Sequence, residues 1–229
     1  MTGGSSAFHG ERLLAEGLEA LALPSDPELR DRLLRLGALL ERWAPRINLT
    51  GHRTLEGILR DLVLEACALV AQLPADLGGL VDLGSGAGFP GLPVAILRPD
   101  WRLTLIEPRR RRHHFQRAAV RELGLANASL LEGRAEALEP REHPAGVAQA
   151  VGAPAQVLRW LLPWVEPGGL LLLPGSELGP EVPEIEGILP EPRVRYQVPC
   201  GGRRRTLWIG RKSCGMTGSV PIPPRGTAR

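Results

Sequence analysis

Cysteine is scarce in this chain, and the little there is excludes two architectures. Cys67, Cys200 and Cys214 are three among 229 residues, odd in number, far apart and in no C-x-x-C spacing. That supports neither a disulfide framework nor a structural zinc site, and it fits a reducing compartment. No apolar run is long enough to cross a bilayer, and the first residues lack the layout of a secretory signal. A cytoplasmic protein with no membrane partner is therefore expected. Charge of one sign is not in large excess either. The formal net charge of +3 is a mild basic bias that admits an RNA partner without requiring one. No internal repeat is visible. What remains is ordinary globular material, 43% hydrophobic and 23% charged, long enough for one sizeable domain with an appended piece.

Residues 1–10 are small and polar and are expected to be disordered. Leu13, Leu14, Leu18 and Leu21 then recur at helical spacing. Pro24-Ser25-Asp26-Pro27 supplies a cap and a first-turn proline for a second helix. Its buried stripe is Leu29, Leu33, Leu36, Leu40 and Trp43, and Pro45 is expected to stop it. A loop over Arg46-Ile47-Asn48-Leu49-Thr50-Gly51 leads to a third helix around residues 54–73. These helices form an N-terminal cap over residues 11–75 that contains no strand.

A short buried strand, Leu80-Val81-Asp82-Leu83, runs without a spacer into Gly84-Ser85-Gly86-Ala87-Gly88-Phe89-Pro90-Gly91. Leu92, Val94, Ala95, Ile96 and Leu97 then begin a helix. Arg102 to Glu107 alternates as a second strand, which Pro108 ends. Residues 109–123 read as a helix with Phe115, Ala118, Ala119 and Leu123 facing inward, and Ser129-Leu130-Leu131 is a third strand. This alternation predicts parallel βαβ units. Beyond it come a weak fourth strand over 147–151, a helix over 154–165, and a strand Leu170 to Leu173 after Gly168-Gly169. A closing hairpin of residues 194–198 and 206–209 is joined across Gly201-Gly202. Residues 213–229 have little to bury and are expected to be a disordered tail.

Gly86 to Gly91 formally matches G-x-G-x-x-G, and Glu107 follows at the distance where a dinucleotide site keeps its acid. The register argues otherwise, because Gly84 already occupies the strand's end. Asp82 followed by Gly84, Ser85, Gly86 and Gly88 fits a turn that holds S-adenosylmethionine. Asp82 could accept from the ammonium of the methionine moiety, and Glu107 could accept two hydrogen bonds from ribose hydroxyls. A cationic cofactor without phosphates suits acidic surroundings. Gly133-Arg134-Ala135-Glu136 follows the third strand at the same edge, placed to read the adenine amino group. The plainer alternative is that these glycines only make a tight strand–helix turn. His113 and His114 point about 100° apart on a helix and cannot chelate one ion, so no metal is expected. Pro199-Cys200 imitates the nucleophile of cytosine-C5 methyltransferases but lies far along the chain from the expected place. Arg109 to Arg112 could touch phosphates or simply form a solvated face.

The run Val81 to Pro93 with Arg98-Pro99, Asn48-Leu49-Thr50, Gly133 to Glu136, and Arg205 to Lys212 resembles the bacterial 16S rRNA guanine-N7 methyltransferase family (GidB, or RsmG). The resemblance spans roughly residues 12–212. It implies an α/β fold, Rossmann-like and of class I S-adenosylmethionine-dependent type, with a mostly parallel seven-stranded sheet over residues 76–212. It further implies cofactor contacts from Asp82, Gly84, Ser85, Gly86, Gly88, Phe89, Glu107, Ala135, Glu136 and Gln149. Asn48, Arg134 and Arg205 would orient the substrate, a guanine of 16S rRNA or the small ribosomal subunit, and the protein is expected to act as a monomer. The chain departs from the family where Leu62, Glu65 and Ala66 replace the histidine, aspartate and serine of a His-x-x-Asp-Ser segment. Gln149 stands for an arginine and Pro174 for a lysine. Two alternatives stay open: a methyltransferase with another acceptor, and a non-catalytic protein that binds S-adenosylmethionine or RNA.

Overall fold

The computed structural model describes residues 3–201 and 203–215. Helix α1 (Gly3–Ala20) begins well inside the stretch expected to be disordered. The correction has a packing reason: Gly10 and Gly17 let α1 lie directly against Leu34, Leu59 and Leu64, and Leu14 and Leu18 are fully buried. Helix α2 (Pro27–Ile47) is capped by Asp26, whose carboxylate accepts from the Leu29 N–H at 2.9 Å. Asp26→Ala should cost about 1 kcal/mol in urea unfolding by leaving that N–H without its cap. Pro45 does not stop α2, contrary to expectation. Near the helix end a proline forfeits only one backbone bond, and Asn48 terminates the helix instead, in left-handed conformation at φ 48° with its N–H on the Ala44 carbonyl.

The expected third helix is three pieces in line. Thr54 caps α3 (Leu55–Ile58), a π-helical turn covers Leu59–Val63, and α4 (Leu64–Val70) completes it. The extra residue in a π turn rotates the face that α4 presents, and such turns often occur at functional sites. Here the run carries two buried acids, Asp61 and Glu65.

The sheet begins with β1 (Gly79–Leu83), followed by α5 (Gly91–Leu97), β2 (Arg102–Glu107), α6 (Arg110–Leu123) and β3 (Ala128–Glu132). Strand β4 is His143–Val147, earlier than the expected 147–151. Residues 148–151 are its exit loop, with Ala150 at φ 54°. The buried alternation starts at His143 and Ala145, which a histidine followed by proline had concealed. Helix α7 (Pro154–Leu161) and a short 3-10 turn (Leu162–Trp164) lead into β5 (Val165–Gly175), which absorbs Gly168 and Gly169. Strands β6 (Ile188–Pro190), β7 (Val194–Gln197) and β8 (Arg204–Lys212) close the sheet. The expected tail from residue 216 onward lies outside the described residues.

The order is β3-β2-β1-β4-β5-β8-β6, with β7 also on β8. Strands β1 to β5 are parallel, and β8 is antiparallel to β5. Strand β6 pairs with residues 210–212 of β8 and β7 with residues 204–207. The two share one edge lane end to end, so eight strands occupy the seven expected lanes. Alternate residues of the parallel strands serve different cores. Leu80, Leu103, Leu105 and Leu172 join the cap leucines in one cluster, while Val81, Ile106, Leu171 and Leu173 pack with Leu158 and Trp164 in the other. The cap therefore shares its core with one face of the sheet. Every parallel strand ends at the same edge, where an α/β sheet of this kind takes its ligands.

Candidate active site

The glycine turn hangs from the end of β2. The Gly84 and Ser85 N–H groups both donate to the Ile106 carbonyl, at 2.9 and 3.0 Å. Gly84 has φ +71°, and a side chain there would strike Val151. Gly86, at φ +58°, differs: a Cβ would meet nothing closer than an Arg112 nitrogen at 3.6 Å. Its backbone thus presents an open face on which a ligand can lie. Glu107, almost wholly buried, holds the turn from beneath. Its Oε2 accepts from Gly86 N–H at 2.8 Å and its Oε1 from Arg109 N–H at 2.7 Å. Each oxygen keeps a further lone pair. Gln116 completes the support from α6, donating at 2.8 Å to Ser85 Oγ and to the Gly86 carbonyl. The sequence reading missed Gln116. The signal was present, since it falls on the inward stripe of α6 beside Phe115 and Ala119.

Asp82 requires a correction. Its carboxylate does not face the crevice where an ammonium group could reach it. It is 1% exposed, and its Oδ2 accepts from Gly91 N–H at 2.9 Å. Asp82 ties the start of α5 to β1 beneath the turn. Burial pushes its pKa up to about 7, against the pull of the Gly91 N–H and helped by the charge of Glu107.

Gly133, Ala135 and Glu136 follow β3 at the same edge, and Gly133 N–H donates to the Glu107 carbonyl at 3.3 Å. Ala135 is buried and opens a 3-10 turn (Ala135–Ala137), while Glu136 is exposed. Arg134 is also exposed, with Glu136 its nearest acid at 3.8 Å. Gln149 shares a small cavity with Phe89 and Pro90, and its hydrogen bond goes to a carboxylate rather than to the glycine turn. Its Nε2 donates to Glu65 Oε1 at 2.8 Å, and Arg205 donates to Glu65 Oε2. Arg205 spends one guanidinium nitrogen on this carboxylate, and its Nε is buried without a partner among the described residues. Exposed Asn48 caps α2, and no hydrogen bond joins its side chain or that of Arg134 to this cluster among the described residues. The Glu65 cluster opens on a small cavity lined by Phe89, Pro90, Leu62 and Tyr196, so Phe89 links the cofactor turn to it. Cys200 is exposed, at φ 57° in the turn before β8, with its Sγ 3.9 Å from the Leu13 carbonyl.

A sheet of this order, a glycine turn after its first strand and an acid ending the second define a Rossmann-like, class I S-adenosylmethionine-dependent methyltransferase fold. Two solved structures share it: a putative O-methyltransferase from Klebsiella pneumoniae (TM-score 0.52, 17% identity, 90% of this chain and 99% of that one) and a SAM-dependent methyltransferase from Aquifex aeolicus (0.52, 15%, 68% and 93%). The chain belongs to the rRNA small subunit methyltransferase G (GidB) family, whose profile matches residues 30–184. It is 36% identical to the ribosomal RNA small subunit methyltransferase G of Stenotrophomonas maltophilia over 85% of this chain and 84% of that one. The protein of the same name from Halorhodospira halophila is 33% identical, over 82% and 90%. That of Nitrosomonas europaea is 40% identical over a shorter match, 56% of this chain and 60% of that protein.

Proposed function

We propose that this chain methylates N7 of a guanine in small-subunit (16S) ribosomal RNA, with S-adenosylmethionine as donor. The observation that carries the reading is the Gly84–Gly88 turn held by Glu107 in a member of this family. The residues present fit the cofactor. Gly86 offers a bare backbone face, Glu107 retains an unused lone pair on each oxygen for vicinal hydroxyls, and Ala135 and Glu136 stand one strand further along. When bound, S-adenosylmethionine supplies a methyl group activated by a positively charged sulfur. Guanine N7 has a lone pair and no proton, so no residue here must act as a general base. The work of the chain is to orient, exclude water and keep negative charge near a cationic donor.

Among the described residues no group of three or more His, Cys, Asp or Glu side chains could hold a metal, and none is used in this reading. No described helix is long and apolar enough to cross a membrane. The same reading has a cytoplasmic monomer that meets either naked rRNA or the assembled small subunit. Incubation with small subunits from a strain lacking the modification should yield N7-methylguanine in 16S rRNA by nuclease digestion and mass spectrometry. Methyl transfer to another atom would favour a different acceptor, and cofactor binding without transfer would favour a non-catalytic role.

A further inference from the structure

The Glu65 cluster has hydrogen-bonding capacity that no group among the described residues uses. Glu65 lies on the otherwise apolar α4, 6% exposed. Its two oxygens each accept one bond, from Gln149 and from Arg205. A carboxylate offers about four acceptor positions, so roughly two stay free. Tyr196 stands opposite Arg205 in the β7–β8 pairing. Its hydroxyl is buried and has no partner among the described residues. Burial, reinforced by the Glu65 charge, pushes its pKa up, so it remains a donor. An idle buried hydroxyl is costly unless something else satisfies it. Tyr196, Glu65, Leu62, Phe89 and Pro90 border the same cavity, and Phe89 directly follows the last glycine of the cofactor turn. The cavity therefore joins a charged acceptor, an idle donor and apolar walls beside the place of the methyl donor.

We propose that Glu65 and Tyr196 read the target base in this cavity. The Glu65 carboxylate accepts from the N1–H and 2-amino groups of guanine, the Tyr196 hydroxyl donates to O6, and Phe89 packs against the ring. The inference rests on the guanine-methylating reading above and names the groups that select the base. Adenine would turn the lone pair of its N1 toward the same carboxylate, leaving a buried charge unsatisfied. Glu65 takes no proton from N7, which has none, and is a specificity residue. Gln149 and Arg205 are positioning residues that hold its carboxylate in place. The cavity is small, so the ring enters by moving Leu62 or Phe89, both only partly buried.

The test compares small-subunit RNA carrying guanosine or inosine at the target site, inosine lacking only the 2-amino group. The wild-type protein should favour guanosine about tenfold or more. Glu65→Gln should lose about 10- to 100-fold in kcat/KM on guanosine and much less on inosine, flattening the preference. Calorimetry with S-adenosylmethionine should show that its cofactor site is intact. Tyr196→Phe removes an oxygen without a partner among the described residues, so its melting temperature should hold while kcat/KM falls on both substrates. A Glu65→Gln protein that keeps the full guanosine preference, or a Tyr196→Phe protein with unchanged kcat/KM, overturns the assignment and leaves the methylation itself standing. A wild-type protein that methylates neither RNA overturns both.

Discussion

Glu107→Ala is expected to weaken S-adenosylmethionine binding by about 1–3 kcal/mol, roughly 5- to 150-fold in Kd. The structure makes Glu107 answerable for two things at once. Its carboxylate holds the Gly86 and Arg109 N–H groups, and its remaining lone pairs are those proposed to accept from the ribose hydroxyls. Alanine abolishes both, so a fall in melting temperature should accompany the weaker binding. Glu107→Gln is the intermediate case. Its amide oxygen can still accept from one of the two backbone N–H groups, while its NH2 faces the other donor to donor, so one bracing bond and one ribose acceptor are lost together. Binding to the glutamine variant should fall between wild type and alanine. Calorimetry on protein shown to be folded is the decisive measurement. An alanine variant with lowered melting temperature and unaltered Kd would reduce Glu107 to a brace for the turn.

The parts of this site that were legible in the sequence are those encoded by contiguous residues. Strand, glycines and helix from Leu80 to Leu97 are a local pattern with its own steric logic, and Glu107 closes the following strand just before a proline. What required coordinates was the direction and partnership of side chains. Asp82 is the clearest case. Strand parity puts it on the face of Leu80, which α5 covers, so its burial could have been inferred from period two alone. The link from Glu65 to Gln149 and Arg205 spans separations of 84 and 140 residues, and no local pattern announces it. Yet it changes the meaning of two departures from the family. Glu65 and Gln149 stand where aspartate and arginine are usual, and here the replacements bond to each other while Arg205 supplies the positive partner. The substitutions keep a polar cluster at this place instead of erasing one. For Pro174, in place of a lysine at the end of β5, the described residues give no structural explanation. Elsewhere the misses were matters of length. The early start of α1, the π turn at Leu59–Val63 and the edge lane divided between β6 and β7 depend on packing partners remote in sequence.

Asp82 should contribute a stability that falls with rising pH from about 4 to 7. Buried His143, its pKa held down to about 4, opposes it over most of that range, so the Asp82 part is read as the difference between wild type and Asp82→Asn. In the folded chain burial holds its pKa up at about 7, against an ordinary value of 3.8. Below about pH 4 both folded and unfolded chains carry the proton, and the group makes no difference. Between the two values the unfolded chain has released the proton and the folded chain retains it, so each step upward in pH favours unfolding. Above about 7 both have released it, and the cost of a buried carboxylate beside Glu107 is fully present. That interval, at about 1.36 kcal/mol for each step of one in pH, sets the upper scale at about 4 kcal/mol. Asp82→Asn removes the titration and keeps the contact, because its amide oxygen can still accept from Gly91 N–H. The amide's NH2 group is left to find a partner in a buried place, which costs about 1–3 kcal/mol at every pH. The variant should therefore be less stable than wild type near pH 4 and equal or more stable near pH 8. Urea unfolding across that range reads the crossing directly, and parallel curves for the two proteins would remove Asp82 as the cause. The crossing also bears on the cofactor turn. A carboxylate held under the first turn of α5 at a cost in stability is explained by what it positions, namely Gly91 and, through it, the Phe89-Pro90 end of the turn that lines the acceptor cavity.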